Sequence, residues 1–258
     1  MLPTDDNTSV PDFTRAAVRV FARCGFSAPA TAEARVVLCD TTEWTSFVES
    51  AQGLLSPEER ARAIRLRFDR DRAPYILAHA LWRVSLAICL GTDVTRIRLI
   101  STVTGQPRLP GTAFATSLSH SGCWVAIAIC MGDTVGVDIE RTPPRTALET
   151  LVPIICTPAE IADLAPLSAP EREAALLALW TRKEALLKAF GVGLNVDPSR
   201  LSATANEVVS SLPSPTTSDL VPCRVFNLRL PDGVVGALAV PVSIASVRLC
   251  TLGSGEAH

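Results

Sequence analysis

The feature that most constrains this chain is a helix that is apolar on most sides and yet carries charge. Residues 172–190 set Leu176, Leu177, Leu179, Leu186, Leu187 and Phe190 around Lys183, Glu184 and Lys188. Charged side chains are rarely buried without partners, so a helix this apolar is expected to line a cleft with them. Glu184 and Lys188 are four apart and share a face, with Trp180 one turn earlier. Taken alone, the pair is also what an ordinary surface helix carries, contributing about 0.2–0.5 kcal/mol.

A second segment lies some forty residues earlier, Gly136-Val137-Asp138-Ile139-Glu140. On a strand, residues two apart share a face. Val137 and Ile139 then face a core, and Asp138 and Glu140 project together from the other side. Two carboxylates on one face repel unless a cation lies between them. Oxygen ligands suit Mg²⁺, which takes a few carboxylates and fills its remaining positions with water and phosphate. The competing reading is a solvated strand end neutralised by Arg141 and other arginines. Strand and helix together offer three carboxylates and two lysines, the equipment for holding a divalent cation against phosphate oxygens.

Composition supports a large core. The chain has 258 residues, 48% hydrophobic and 19% charged, with a net charge of −2. That balance argues against bulk nucleic-acid binding. The N-terminus is polar and acidic with no basic stretch leading into an apolar one, so no secretory signal is read there, and no apolar run is expected to span a membrane. Eight cysteines form no CxxC pair, and several sit in apolar runs. Buried free thiols in a reducing, cytoplasmic compartment are the expectation.

Along the chain, residues 1–34 read as an N-terminal extension with a short helix at 14–23. Residues 35–40 form a first strand. Ser56-Pro57-Glu58-Glu59 has the form of a helix start, with the helix running to about residue 68. A second helix follows Pro74. Gly105-Gln106-Pro107 is a turn. Strands are expected at 115–120, 124–130 and 135–140, helices at 158–164 and 172–190, an exposed loop at 210–218, and an antiparallel pair at 223–230 and 234–240 turned at Pro231-Asp232-Gly233. The fold class is therefore α+β. Each half runs helices first and then strands, which suggests an α+β subdomain at 35–134, a similar one at 135–250, and a tail at 251–258. The contact between halves is a natural place for a ligand.

Three further groups bear on chemistry. Ser117, Ser119 and Ser121 alternate to one strand face, and His120 ends that strand before Gly122. A lone histidine is more often structural than functional. Arg60, Arg62, Arg65, Arg67, Arg70 and Arg72 form a cluster whose guanidinium forks suit phosphate, although most of them are read as a solvated face opposite Glu58, Glu59, Asp69 and Asp71.

These segments, in this order, resemble the 4′-phosphopantetheinyl transferases of the larger, Sfp-type class. The family pattern has a strand ending in SHS, here Ser119-His120-Ser121; a G-(I/V)-D-(I/V)-E strand, here Gly136 to Glu140; and a W-x-x-K-E-A-x-x-K-x-x-G helix, here Trp180 through Lys188 to Gly191. The stretch from Leu55-Ser56-Pro57 to Trp82-Arg83 also looks like the family's N-terminal half. The resemblance covers roughly residues 35–245.

The resemblance implies two α+β subdomains related by pseudo-twofold symmetry, with coenzyme A and metal in the cleft between them. It implies transfer of the phosphopantetheine arm of coenzyme A, the co-substrate, to a serine of an apo acyl or peptidyl carrier protein, releasing 3′,5′-ADP. Asp138, Glu140 and Glu184 match ligands of Mg²⁺, with Mn²⁺ as a substitute. Glu184 is the candidate base and Lys188 the aid to the leaving phosphate. Lys183 and Lys188 match pyrophosphate contacts, Ser119 and His120 match coenzyme A phosphate contacts, and Arg62 matches a position near the 3′-phosphate. Glu160 matches an acid that orders the helix and metal region. The expected partners are coenzyme A and a carrier domain, with no nucleic acid and no membrane, and the two fused halves make a monomer sufficient. The Trp-x-x-Lys-Glu-Ala start resembles the branch serving fatty-acid, polyketide and broad carriers.

The chain departs from the pattern in three places. The family turn often reads G-K-P; Gly105, Gln106 and Pro107 keep a backbone that could meet adenine but lack the lysine charge. The family often has Arg where Pro74 stands, with Arg70 or Arg72 as substitutes. Ser117 replaces a frequent Asn. These changes leave open a non-catalytic protein that grips coenzyme A or a carrier. A different Mg²⁺-dependent phosphotransferase ranks last, since neither a P-loop nor a kinase signature set is present.

Overall fold

The computed structural model describes residues 12–144, 146–212 and 220–253. The expected loop at 210–218 lies largely outside them. The chain divides into two compact units. The first takes in residues up to 27, residues 40–97 and the C-terminal end; the second takes in residues 28–39 and 98–251. This is a different partition from the consecutive halves considered above.

The first unit is helical. Helix α1 (Phe13–Arg23) buries Phe13, Val20 and Phe21, and Phe13 meets Trp44 edge-on at 5.6 Å. A short helix α2 (Val48–Gln52) follows a 3₁₀ segment. Helix α3 (Pro57–Arg65) starts at a reciprocal cap: Glu59 N–H donates to Ser56 Oγ while Ser56 N–H donates to the Glu59 carboxylate, satisfying two donors that a helix start leaves without partners. Helix α4 (Asp69–Leu90) begins five residues before Pro74 and keeps the proline inside it. It is long and apolar enough to cross a membrane, contrary to the sequence expectation, but 72% of the qualifying stretch is buried. It is the central helix of this unit.

The second unit holds two four-stranded sheets and one long helix. In chain order its elements are β1 (Glu33–Asp40), β2 (Ile100–Ser101), β3 (Pro107–Arg108), β4 (Phe114–Ser121), β5 (Trp124–Met131), β6 (Gly136–Arg141), α5 (Val152–Ile155), α6 (Pro158–Leu164), α7 (Ala169–Phe190), β7 (Val208–Val209), β8 (Cys223–Asn227), β9 (Val234–Pro241) and β10 (Ser246–Leu252). One sheet has the order β10-β1-β5-β4 and the other β6-β9-β8-β7, with β2 and β3 forming a separate pair. The architecture is α+β.

Strand alternation divides the core of this unit. Val137 and Ile139 of β6, with Leu238 and Val240 of β9, join Val36, Leu38, Ala126 and Ala128 in one apolar cluster. Ala237 and Ala239 turn to the opposite face and pack with Leu176, Leu179, Leu186 and Leu187 of α7. Period two in the strands and 3.6 in the helix thus give the second sheet two covered faces. Asp138 and Glu140 share the helix-facing side of β6. On that side Gly136 allows a close approach, because a Cβ there would lie 1.9 Å from the Ala185 carbonyl oxygen.

Cys24 and Cys250 are each disulfide-bonded, which corrects the expectation of free thiols throughout. Cys39, Cys89, Cys123, Cys130, Cys156 and Cys223 are free, and burial pushes the Cys130 and Cys223 thiols up to about 12.

Candidate active site

The site begins at a seam between two sheet edges. Strand β4 ends one sheet and β6 ends the other, and an edge strand leaves a row of backbone groups without partners. The alternating serines of β4 supply them. Ser117 Oγ accepts from Val137 N–H at 3.1 Å, Ser119 Oγ from Ile139 N–H at 3.3 Å and Ser121 Oγ from Arg141 N–H at 3.2 Å. Two of the hydroxyls also donate onward, Ser119 to Asp138 Oδ1 at 2.8 Å and Ser121 to Glu140 Oε2 at 2.6 Å. The serine periodicity visible in the sequence therefore does two jobs: it joins the sheets and it orients both acids.

Helix α7 brings the remaining groups. Lys188 Nζ donates to Asp138 Oδ1 at 2.7 Å and to the Val137 carbonyl at 3.2 Å. Asp138 is 5% exposed, and its other oxygen, Oδ2, is buried without a hydrogen-bond partner. Glu184 is half-buried on the same helix. Burial raises its pKa, the charge of Asp138 pushes it further up, Lys188 opposes, and Glu140 adds to the rise. Glu184 therefore feels both Asp138 and Glu140, with the Lys188 ammonium opposing them.

The donor chemistry suits a hard divalent cation: three carboxylates, one with an unpartnered buried oxygen. Among the described residues, however, no three His, Cys, Asp or Glu side chains are drawn together closely enough to form a ligand group as they stand. Lys188 supplies the neutralising charge at Asp138.

Lys183, expected to contact pyrophosphate, is engaged within the protein instead. It is 0% exposed, and Nζ donates to the Ile155 carbonyl at 2.6 Å, to Glu160 Oε2 at 2.6 Å and to the Pro198 carbonyl at 2.9 Å. An ammonium has three donors, and all three are engaged. Burial pulls its pKa down and the bond from Glu160 opposes that. Glu160 also accepts from the N–H groups of Thr157 and Ala203. The pair fixes the loops around α7 and replaces the coenzyme contact expected of Lys183. Spacing could not reveal this, because the partners come from three separate stretches.

Two models of one family match adjacent stretches of the chain: residues 41–132 match "4′-phosphopantetheinyl transferase, N-terminal", and residues 134–219 match "4′-phosphopantetheinyl transferase superfamily". The 4′-phosphopantetheinyl transferase psf-1 of Bacillus pumilus is 30% identical over 62% of this chain and 68% of its own length.

The chain belongs to the 4′-phosphopantetheinyl transferase superfamily.

The 4′-phosphopantetheinyl transferase HetI of Nostoc sp. is 29% identical over 76% of this chain and 82% of its own length. Sfp of Bacillus subtilis is 30% identical over 57% and 65% respectively. Within the second unit of this transferase, β6 and α7 carry Asp138, Glu140, Glu184 and Lys188, and β4 carries Ser119 and the exposed His120. The turn expected at Gly105, Gln106 and Pro107 lies two residues earlier, at residues 103–104, with Pro107 already in β3 of the same unit, and the Gln106 side chain bonds the end of α7. Arg62 and Arg72 belong to the first unit. The Arg62 guanidinium lies over the Tyr75 ring at 5.8 Å. Arg72 pairs with Asp69 at 3.0 Å and donates to the Leu66 carbonyl at 2.8 Å. Nearby, Glu59 pairs with Arg83 at 2.8 Å and with His79 at 3.0 Å.

Proposed function

We propose that this transferase moves the 4′-phosphopantetheine arm of coenzyme A onto a serine of an apo acyl or peptidyl carrier protein, as a monomer and with Mg²⁺, releasing 3′,5′-ADP. The observation that carries the reading is the pairing of Lys188 with Asp138 beside a carboxyl, Glu184, held above its ordinary pKa. A carboxyl raised in this way is a better proton acceptor near neutrality than a solvated one. In the proposed reaction the carrier serine oxygen attacks the phosphorus that bears the pantetheine arm. A new P–O bond forms, the P–O bond to 3′,5′-ADP breaks, and the serine proton passes to Glu184. Lys188 meets the charge that grows on the departing phosphate oxygen. Asp138, Glu140 and Glu184 would hold the cation, which supplies neutralisation of the diphosphate oxygens.

Incubation with coenzyme A, Mg²⁺ and a panel of apo carriers, read by mass spectrometry, tests this. One carrier gaining the arm supports it; no gain on any of the panel, with coenzyme A left intact, overturns it. Omission of the cation is expected to stop transfer.

A second reading, a protein that binds coenzyme A or a carrier without turnover, draws on Lys183 and the Gln106 side chain being engaged within the protein rather than free for a ligand. Calorimetric binding of coenzyme A with no modified carrier would favour it.

A further inference from the structure

We propose that Gln106 is a positioning residue for the transfer, holding the last turn of α7 and through it the ammonium of Lys188. The inference rests on Lys188 acting as proposed above.

The last carbonyls of a helix lack partners within the helix. At the end of α7, Gly191 takes the left-handed conformation, with φ +66°. Its N–H returns to the Lys188 carbonyl at 3.1 Å, and the Val192 N–H returns to that of Leu187 at 3.2 Å. Gln106 adds donors from a segment far away in sequence: Nε2 lies 2.9 Å from the Ala189 carbonyl oxygen and 3.2 Å from that of Lys188. Thr134 Oγ1 also donates to Ala189.

The Gln106 backbone is fixed in turn. Its N–H donates to Thr102 Oγ1 at 3.1 Å, and its carbonyl accepts from Thr102 N–H at 2.9 Å. The side chain occupies the space a larger residue at 191 would need, since a Cβ on Gly191 would stand 2.3 Å from Gln106 Oε1. Glycine at 191 and glutamine at 106 therefore fit as a pair.

Lys188 lies two residues before the end of this helix. Helix ends fray first, and a last turn that loses one of its donors opens more often. When that turn opens, Lys188 leaves Asp138. The amide of Gln106 thus acts on the reacting groups through the main chain of α7. This assigns Gln106 a role distinct from a contact with coenzyme A.

The test uses the full chain with Gln106→Leu, Gln106→Glu and Gln106→Lys, assayed with coenzyme A and a carrier that the wild type modifies. Amide hydrogen exchange at Gly191 and Val192 is measured alongside. Gln106→Leu is expected to lower kcat about tenfold or more through misplacement of Lys188, with KM for coenzyme A changed by less than about twofold and faster exchange at both amides. Gln106→Glu, which cannot donate and faces carbonyl oxygens, is expected to be worse. Gln106→Lys restores donors and a charge that suits a helix C-terminus, and is expected to recover most of the lost kcat. A rise in KM with kcat maintained in Gln106→Leu, a lysine variant no better than leucine, or unaltered exchange would each overturn the proposal. Wild type inactive on every carrier would instead refute the transfer reading, and the exchange measurement would still report on the cap.

Discussion

Lys188 Nζ stands 2.7 Å from Asp138 Oδ1, joining the last turn of α7 to the middle of β6. This ion pair ties the helix to the strand and holds one cation beside three acids. Lys188→Ala is expected to lower kcat about 10²–10³-fold, the usual effect of removing a group that meets developing charge. The loss of stability should be smaller, about 1–2 kcal/mol, because the lysine side chain is 30% exposed. Mg²⁺ is expected to raise the melting temperature of the wild type, and Asp138→Asn should abolish both that rise and transfer. A melting shift that survives in Asp138→Asn would remove Asp138 from the cation site.

Glu184 makes stability depend on pH in a definite direction. Its folded pKa is raised, so the native state holds the proton more tightly than the unfolded chain does. Stability is unaffected below the unfolded pKa and falls as pH rises from there through the folded value. Glu184→Gln lacks this decline. Urea midpoints measured in chelator at about pH 4, just below the ordinary glutamate pKa, and at about pH 8, above the ordinary histidine pKa, should show the variant gaining on the wild type as pH rises while transfer is lost. Parallel profiles would contradict the raised carboxyl.

Lys183 should behave as a structural residue. Lys183→Met takes the ammonium from the Glu160 carboxylate and leaves it only the N–H groups of Thr157 and Ala203, so a loss of about 3 kcal/mol is expected, read from urea unfolding. Any folded fraction should keep its KM for coenzyme A. A stable variant with a raised KM would restore the pyrophosphate contact that the structure replaces.

Ser119→Ala removes the acceptor for Ile139 N–H and a donor to Asp138. A buried group left without a partner costs about 1–3 kcal/mol. Thermal unfolding should show that loss, and Ser119→Thr should recover part of it. No change on removing the hydroxyl would mean the seam has another source of support.

The elements visible in the sequence are those governed by local periodicity. Val137 and Ile139 alternate with Asp138 and Glu140, and the three serines alternate on β4; both patterns reach the structure intact. Capping chemistry placed the start of α3 at Ser56. Helix α4 was harder, because Pro74 reads as a helix start, whereas tertiary packing carries the helix through it. Strand β10 was not read from the sequence although Val247 and Leu249 alternate with Ser246 and Arg248; in the structure only Leu252 of it is buried. At the candidate site, the shared faces of Asp138 with Glu140 and of Glu184 with Lys188 were legible from spacing. The engagement of Lys183 with Ile155, Glu160 and Pro198, and of Gln106 with the end of α7, depends on partners remote in sequence, which no periodicity reports.

The absence of a side chain at Gly136 also has a chemical reach. With no methyl group to keep them apart, strand and helix meet main chain to main chain, so the gap between the facing acids and the ammonium depends closely on side-chain length. Aspartate at 138 is one carbon shorter than glutamate at 184. Exchanging their lengths would move each carboxylate by about 1.5 Å, a single carbon–carbon bond, and leave the ammonium facing the wrong atom.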